Sequence, residues 1–448
     1  MASEKRCLDI VIVGAGLVGA LAACYLAKRG HRVRLYEYRS DIRVQKSKGA
    51  SMNLALSARG REALRGVGLE DEIIYEHGVE MKGRMIHMKN GILRESIYDR
   101  VKGNCIYSVV RAHLNEILLN AAEKYSTVTP FFNHKLLEAD VDKGILKFLE
   151  MQTQETVTVS GDLIIGADGA YSFIRRSMAK RPRFDCTQTY MDHGYLDISY
   201  PPDKDNQYVF SGEHLHIWPR GDFMLIAVPN PDHTFTGNIF APFKILESLD
   251  TRERLLQFFK DQFPDALQKI DEEKLVAEFF ETSPKTLISI KCKPYHVGSK
   301  VLILGDAAHA MPPFFGQGVN SGFEDILILN ELFETYNEDL EKILPEFSKL
   351  RCDDGHAICD LSVYNYIEMR DLVATIPFIL REHLDNALYR LLNDTWIPLY
   401  HSVTFSRMRF QDCITNRAWQ DKLLTGIAVC AGVAIFAAVI TLMMTNIY

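Results

Sequence analysis

The 448-residue sequence holds nine cysteines and no CxxC pair, which argues against a disulfide framework and for a reducing compartment. It has no excess of basic residues. With 51 Lys and Arg against 58 Asp and Glu, the net charge is −7, so nucleic acid is excluded as a main partner. No internal repeat and no low-complexity tract is present, which excludes solenoids and disordered arrays. The amino terminus, Met1 to Arg6, is short and polar and lacks the apolar core of a signal peptide, so no secretory leader is expected there. His309 has no companions at metal-ligand spacing, and no metal is expected.

What is present is ordinary in bulk and specific in detail. A hydrophobic fraction of 47% and a charged fraction of 24% suit a globular protein of this length with two or three cores. Residues 9–13 read as a buried parallel strand, 17–28 as the following helix and 32–36 as a second strand, which together make one βαβ unit. The turn inside it carries Gly14-Ala-Gly16-Leu-Val-Gly19. Gly14 permits the tight turn, Gly16 lets a pyrophosphate approach the backbone, and Gly19 lets helix and strand pack closely. The helix N-terminus then faces the anion. Glu37 ends the second strand, where an acidic residue accepts from ribose hydroxyls and repels a 2′-phosphate. The motif alone leaves open which dinucleotide it holds.

Two later segments repeat the strand-then-glycine pattern. One is Asp162-Leu-Ile-Ile-Gly166-Ala-Asp168-Gly169, followed by Arg175 and Arg176. The other is Val301-Leu-Ile-Leu-Gly305-Asp306-Ala-Ala-His309, followed by Pro313-Phe314-Phe315-Gly316-Gln317-Gly318-Val319-Asn320. Asp306 can accept from a ribitol hydroxyl, and amides from Gly318 to Asn320 open a helix facing an isoalloxazine ring. Between these segments, residues 187–240 alternate apolar and polar, as a sheet does. Residues 53–67, 111–124, 322–336 and 340–366 read as helices, the chain from there to Gln420 as further helix with aromatics, and 157–165 as one strand. Residues 423–444 carry no charge over 22 positions, a helix of about 30 Å and enough to cross a bilayer. Arg407, Arg409, Arg417 and Lys422 precede the run and favour a cytoplasmic upstream side, and Trp419 suits the interface. A buried helix of a soluble domain is the other reading of that run.

The three glycine segments, in this order, resemble the class A flavoprotein monooxygenases. That resemblance implies an α/β fold: a Rossmann-like FAD-binding domain of the para-hydroxybenzoate hydroxylase type, with an inserted antiparallel β-sheet substrate domain and C-terminal helices. The implied division is residues 1–180 for the first part of the FAD domain, with pocket segments near 80–105. Residues 181–295 form the substrate sheet, 296–345 the return of the FAD domain, 346–422 the helical region and 423–444 the anchor. Further stretches, among them Asn53-Leu-Ala-Leu-Ser57, Leu215-His-Ile-Trp218-Pro219-Arg220 and Tyr364-Asn365-Tyr-Ile-Glu368-Met-Arg370, resemble the kynurenine 3-monooxygenase family over essentially the whole chain.

From that resemblance follow a substrate, L-kynurenine, and the cofactors FAD and NADPH. It implies that NADPH reduces FAD, that O₂ gives a flavin C4a-hydroperoxide, and that the ring carbon ortho to the amino group takes the distal oxygen, with no protein nucleophile. Implied cofactor contacts are Gly14, Gly16, Val18, Gly19, Glu37, Arg39, Ala55, Arg111, Leu136, Asp168, Asp306, Gly318, Val319 and Asn320. Arg84 matches the arginine that takes the amino-acid carboxylate, a task suited to a guanidinium fork. Tyr98, Asn365 and Tyr400 match its polar partners, with Glu368 and Gln317 behind them. Phe314 and Phe315, with Leu215, Ile217, Phe223, Met224 and Phe240, are candidates for a dry wall. The membrane implied is the mitochondrial outer membrane, with the catalytic part on the cytosolic side and the bilayer as partner of the C-terminal helix. The competing readings are another membrane-bound flavin monooxygenase, epoxidase or reductase of the same fold, and a tethered FAD-binding redox sensor.

Overall fold

The computed structural model describes residues 6–44 and 53–445. A six-stranded sheet runs in the order His296–Val297, Val301–Ile303, Leu163–Gly166, Asp9–Val13, Arg32–Tyr36, Val128–Phe131. All neighbours are parallel except the first pair. Its strands are short continuous apolar runs because both faces are covered. The helix Leu17–Lys28 is buried over ten of its twelve residues. It lies within the main core, which also contains residues of Arg111–Glu123 and Gly318–Tyr336. The parallel order places the ends of Asp9–Val13, Leu163–Gly166 and Val301–Ile303 side by side. The three glycine segments therefore meet at one edge of the sheet, the usual ligand crevice of such folds.

Two local expectations are corrected. Residues 157–165 are two strands in two sheets: Thr156–Ser160 pairs antiparallel with Ile145–Glu150, and Leu163–Gly166 joins the parallel sheet. The chain changes sheet within Gly161-Asp162, too short a break to interrupt the apolar pattern. Residues 53–67 begin as a strand, Leu54–Leu56, before the helix Ala58–Gly66. Asn320 donates to the carbonyl of Ala55 at 2.7 Å and holds that strand open.

The second sheet has seven strands, in the order Lys285–Lys293, Asp185–Tyr200, Phe235–Pro242, Met224–Pro229, His214–Pro219, Gly83–His87, Leu93–Ile97. Its two faces follow the period-2 alternation. Leu225, Ala227 and Ile239 turn to one side, in a core with Leu255, Leu256 and Phe259 of the helix Arg252–Gln262. Met224, Ile226 and Phe240 turn to the other, toward Phe314 and Tyr366. Phe223 packs with the first group, near Phe258 and Phe263, and so is not part of the dry wall. Helices between 243 and 281 were not anticipated.

The last part of the chain is helical. A 31-residue helix, Leu340–Arg370, ends beside the second sheet. Ile376–Leu392, called here the outer helix, and Leu399–Thr404 follow, and Phe410–Thr445 closes the chain. This final helix is long and apolar enough to cross a membrane, and its apolar window is not buried in the protein. Ile427, Val433 and Phe436 are exposed, which removes the buried-helix reading. Arg407, Arg409 and Arg417 are engaged in ion pairs with Glu331, Asp354 and Asp385.

Candidate active site

At the dinucleotide turn each glycine has a separate reason. Gly14 sits at φ +102°, and a Cβ there would lie 2.4 Å from the Ala167 carbonyl oxygen. A Cβ on Gly19 would lie 1.9 Å from the oxygen of Gly14. Gly16 meets nothing within 4 Å and caps the helix without a side-chain bond, so its open side and the helix N–H groups face free space. That combination fits a phosphate. The Glu37 carboxylate accepts from Ala15 N–H at 2.8 Å and from the backbone and Nε of Arg39 at 3.0 and 2.8 Å. Glu37 is thus both the end of the second strand and a brace on the turn. Leu136 stands opposite Phe148, whose ring stacks on Tyr36 next to Glu37 at 4.3 Å. Asn115, which the sequence did not single out, donates to the Ala15 carbonyl from the neighbouring helix at 3.2 Å.

The other glycine segments close around this turn. Gly305, at φ +55°, lies against Val18, 2.9 Å from a would-be Cβ. Asp306 follows it, and its carboxylate has no hydrogen-bond or ion-pair partner among the described residues. Asp168 accepts from the backbone of Phe173 and Ile174 at 2.6 and 3.2 Å, at the start of the helix Phe173–Met178. Its second oxygen is buried without a partner, and burial raises its pKa. Arg175 donates to the carbonyls of Ala307 and Ala170 at 2.8 and 2.6 Å and ties these two loops together. Asn320, in the first turn after Gly318 and Val319, accepts from Ser57 N–H and donates to the carbonyls of Ala55 and Gly316. Arg111 is exposed at the head of its helix. The open face of Gly16, the free carboxylate of Asp306 and the orphan oxygen of Asp168 all fit a bound dinucleotide with a polyhydroxylated linker.

Beyond the Phe314–Gly318 loop lies a second chamber. Arg84, on the strand Gly83–His87, is buried, and its guanidinium makes one protein hydrogen bond among the described residues, Nη1 to Glu368 at 3.1 Å. Its Nε is buried with no partner. Tyr400 lies 4.5 Å and Tyr98 5.8 Å from the guanidinium carbon, ring face on, and the two rings stack at 5.1 Å. Burial works against the Arg84 charge, but Tyr400 and Glu368 outweigh it and raise its pKa. Burial raises Glu368, partly offset by Arg84, and pushes the Tyr98 phenol far up. No hydrogen bond of ordinary geometry reaches the Tyr98 hydroxyl, although Arg84 and Tyr400 lie within its field.

Asn365 stands one turn before Glu368, donates to the Phe314 carbonyl at 2.7 Å, and leaves its own Oδ1 unpaired. Gln317 likewise has a buried, unpaired Oε1. Phe315 stacks on Tyr400 and Phe314 on Tyr366, at 5.5 and 4.0 Å. The structure therefore brings Arg84, Tyr98, Glu368 and Tyr400 into one cavity, with Phe314, Phe315 and Gln317 in the adjoining Phe314–Gly318 loop and Asn365 bonded to it. It adds a wall that sequence reasoning missed: Phe378, Arg381, Glu382 and Asp385 of the outer helix. Four unsatisfied polar atoms in one place are unusual for a native interior and mark a chamber arranged for a polar ligand.

Known proteins resemble this chain over nearly its whole length. A family model described as FAD binding domain matches residues 7–358. The kynurenine 3-monooxygenase of Anopheles gambiae is 53% identical over 437 residues, covering 97% of this chain and 90% of its own. Those of Sus scrofa and Candida albicans are 44% and 39% identical, covering 94% and 98% of this chain and 89% and 98% of theirs. Among solved structures, p-nitrophenol 4-monooxygenase PnpA from Pseudomonas putida superposes with a TM-score of 0.68 over 91% of this chain and 97% of its own. At 19% identity it shares the fold alone. The chain is an FAD-dependent monooxygenase, and it belongs to the kynurenine 3-monooxygenase family.

Proposed function

We propose that this enzyme hydroxylates L-kynurenine to 3-hydroxykynurenine with NADPH and O₂, in tryptophan catabolism. The observation that carries this reading is Arg84. It is a buried guanidinium with one edge on Glu368, its Nε unpaired and two tyrosine rings around it. Such a group receives a carboxylate by a two-pronged bond. Glu368 supplies the negative charge that an α-ammonium needs beside it. An aromatic amino acid held in this way directs its ring toward Phe314, Phe315 and the loop at Gly316–Asn320.

The residues that would hold FAD are Gly14, Gly16, Val18, Gly19, Glu37, Arg39, Ala55, Arg111, Leu136, Asp168, Asp306, Gly318, Val319 and Asn320. When bound, FAD supplies the oxygen activation, after reduction by NADPH. The protein's share is positional. Asn365 and Gln317 offer their unpaired carbonyl oxygens to polar groups of the ligand, and Phe240, Phe314 and Tyr366 keep water from the reacting ring. No side chain is placed as a nucleophile. In this reading residues 1–180 and 296–345 serve the cofactor and 181–295, with the strands near 80–105, the substrate. Residues 423–444 hold the enzyme on the cytosolic face of the mitochondrial outer membrane.

A flavin epoxidase or reductase acting on a lipid would have no use for a buried arginine with a free Nε. The test is direct: purified full-length protein with bound FAD is given NADPH with and without kynurenine. Kynurenine-dependent NADPH oxidation, with product heavier by one oxygen atom, supports the reading. NADPH oxidation indifferent to kynurenine defeats it.

A further inference from the structure

The outer helix, Ile376–Leu392, is turned inside out relative to an ordinary surface helix. Ile376, Leu380, Leu384 and Leu391 are 73, 64, 41 and 76% exposed, and Ala387 between them is exposed too. At 3.6 residues per turn these five positions fall within an arc of about 80°. The opposite face is polar and turned inward. Arg381 and Asp385 pair at 2.9 Å, Asp385 accepts from the Trp396 indole at 3.0 Å, and Glu382 pairs with Arg94 at 2.8 Å. A soluble helix puts its apolar stripe on the core and its charges outward. Here the charges serve the substrate chamber, and the apolar stripe is exposed.

We infer that the outer helix lies on the lipid bilayer, with the stripe Ile376, Leu380, Leu384, Ala387 and Leu391 sunk into the acyl boundary. Its place beside the final helix carries this. Arg381 pairs with Asp421 at 2.6 Å and Asp385 with Arg417 at 3.2 Å. Asp421 stands two residues, about 3 Å of helix rise, before Leu423, where the uncharged run begins. The middle of the outer helix is therefore fastened at the level where the final helix would leave water. Trp419, half exposed at that level and 5.7 Å from Trp396, is a residue type that settles at the interface. An exposed apolar stripe on an amphipathic helix, ion-paired to the foot of a helix long enough to span, is what an interfacial helix presents to lipid. One wall of the substrate chamber would then rest on the membrane. The inference depends on reading residues 423–444 as a lipid-embedded anchor.

The full-length FAD-loaded protein is reconstituted into phosphatidylcholine–phosphatidylethanolamine vesicles containing a phosphatidylcholine with a diazirine in its upper acyl chain. Light-induced adducts are then mapped by peptide mass spectrometry. Adducts on both the 376–391 and 423–438 peptides are expected. A triple variant, Leu380→Glu, Leu384→Glu and Leu391→Glu, is expected to float with the vesicles and keep its FAD. It should lose adducts on the outer helix at least about fivefold while those on 423–438 persist. Adducts on 423–438 but none on 376–391 overturn the inference and leave the anchor standing. Adducts on neither peptide overturn both. A stripe that is unlabelled while the triple variant turns a dimer into a monomer assigns the face to a second copy, and also overturns it.

Discussion

Two buried charge clusters in this molecule are built from the same residue types and finished differently. Behind the Phe314–Gly318 loop, Arg351 donates to Asp325 at 2.7 Å, to Glu324 at 3.0 Å and to both oxygens of Ser321. Arg59 completes Glu324 at 2.5 Å and takes the carbonyls of Val403 and Met408. Asp325 in turn receives Gly305 N–H and His309 Nε2 at 2.9 and 2.7 Å. Around Arg84, by contrast, one pair is made and Nε, the Tyr98 hydroxyl and the Asn365 carbonyl oxygen remain open. A closed cluster fixes shape, because its carboxylates and guanidinium groups pair with one another, although His309 Nδ1 has no partner among the described residues. An open one keeps its desolvation cost outstanding until a ligand arrives. Burial and charge therefore do not separate framework from site; what marks the Arg84 chamber is that several open polar atoms gather around one unsaturated guanidinium.

The comparison breaks most visibly at Arg351. Arg351→Met leaves Asp325 and Glu324 buried with too few partners, and should cost about 3–5 kcal/mol in urea unfolding of the FAD-loaded protein. A loss below about 1 kcal/mol would show that the cluster is not closed. Arg84→Ala should act in the opposite proportion. Unfolding free energy changes by about 1 kcal/mol or less, since Glu368 can take up a proton, while kynurenine affinity read from the flavin spectrum falls about 100-fold, equivalent to about 2.7 kcal/mol.

Acid titration sharpens the contrast, because the two carboxylates move in opposite directions. Burial works to raise Asp325, but His309 and Arg351 more than offset it and hold its pKa below the usual range. Its contribution to stability is full above the unfolded value of about 3.9 and is lost as pH falls through the folded one. Glu368 is raised, so its contribution is full below about 4.3 and lost as pH rises through its folded value. Asp325→Asn should flatten the acid limb of a stability–pH curve, and Glu368→Gln should remove the loss on the rising side. Curves unchanged by either substitution would contradict the assignment. The smallest effect is expected from Tyr98→Phe. Removal of an unpaired hydroxyl leaves thermal unfolding within about 1 kcal/mol of the parent, while kynurenine affinity falls about fivefold.

The cofactor half was legible because its signals are local. Continuous apolar runs gave the strands at 9–13 and 32–36 with the bounds observed, and glycine and aspartate punctuated the turns at Gly14, Gly166 and Gly305. Arg84, Tyr98, Glu368 and Tyr400 came only through resemblance, because nothing near Lys82-Gly83-Arg84 distinguishes a buried arginine from a solvated one. Arg59, Asn115 and Arg351 were given no role in the sequence for the same reason, since their partners stand between 26 and 349 positions away along the chain. The helices at 243–281 were folded into the sheet block, though Leu255, Leu256 and Phe259 have helical spacing. In the outer helix, periodicity gives a stripe but not which side of it faces in. Pattern alone would have turned the leucines toward the chamber and the charges away from it.

The grip of Arg59 on Met408 has a consequence for the order of events during synthesis. Arg59 belongs to the helix Ala58–Gly66, yet it is completed only by carbonyls at 403 and 408, and the final helix begins at Phe410. A nascent chain can assemble its glycine turn early, but Arg59 waits for residue 408, 349 positions later. Closure of the catalytic body is therefore completed only as the final, apolar helix is being made. A chain ended just short of Met408 would lose its apolar final helix and also leave Arg59 buried without its last acceptor.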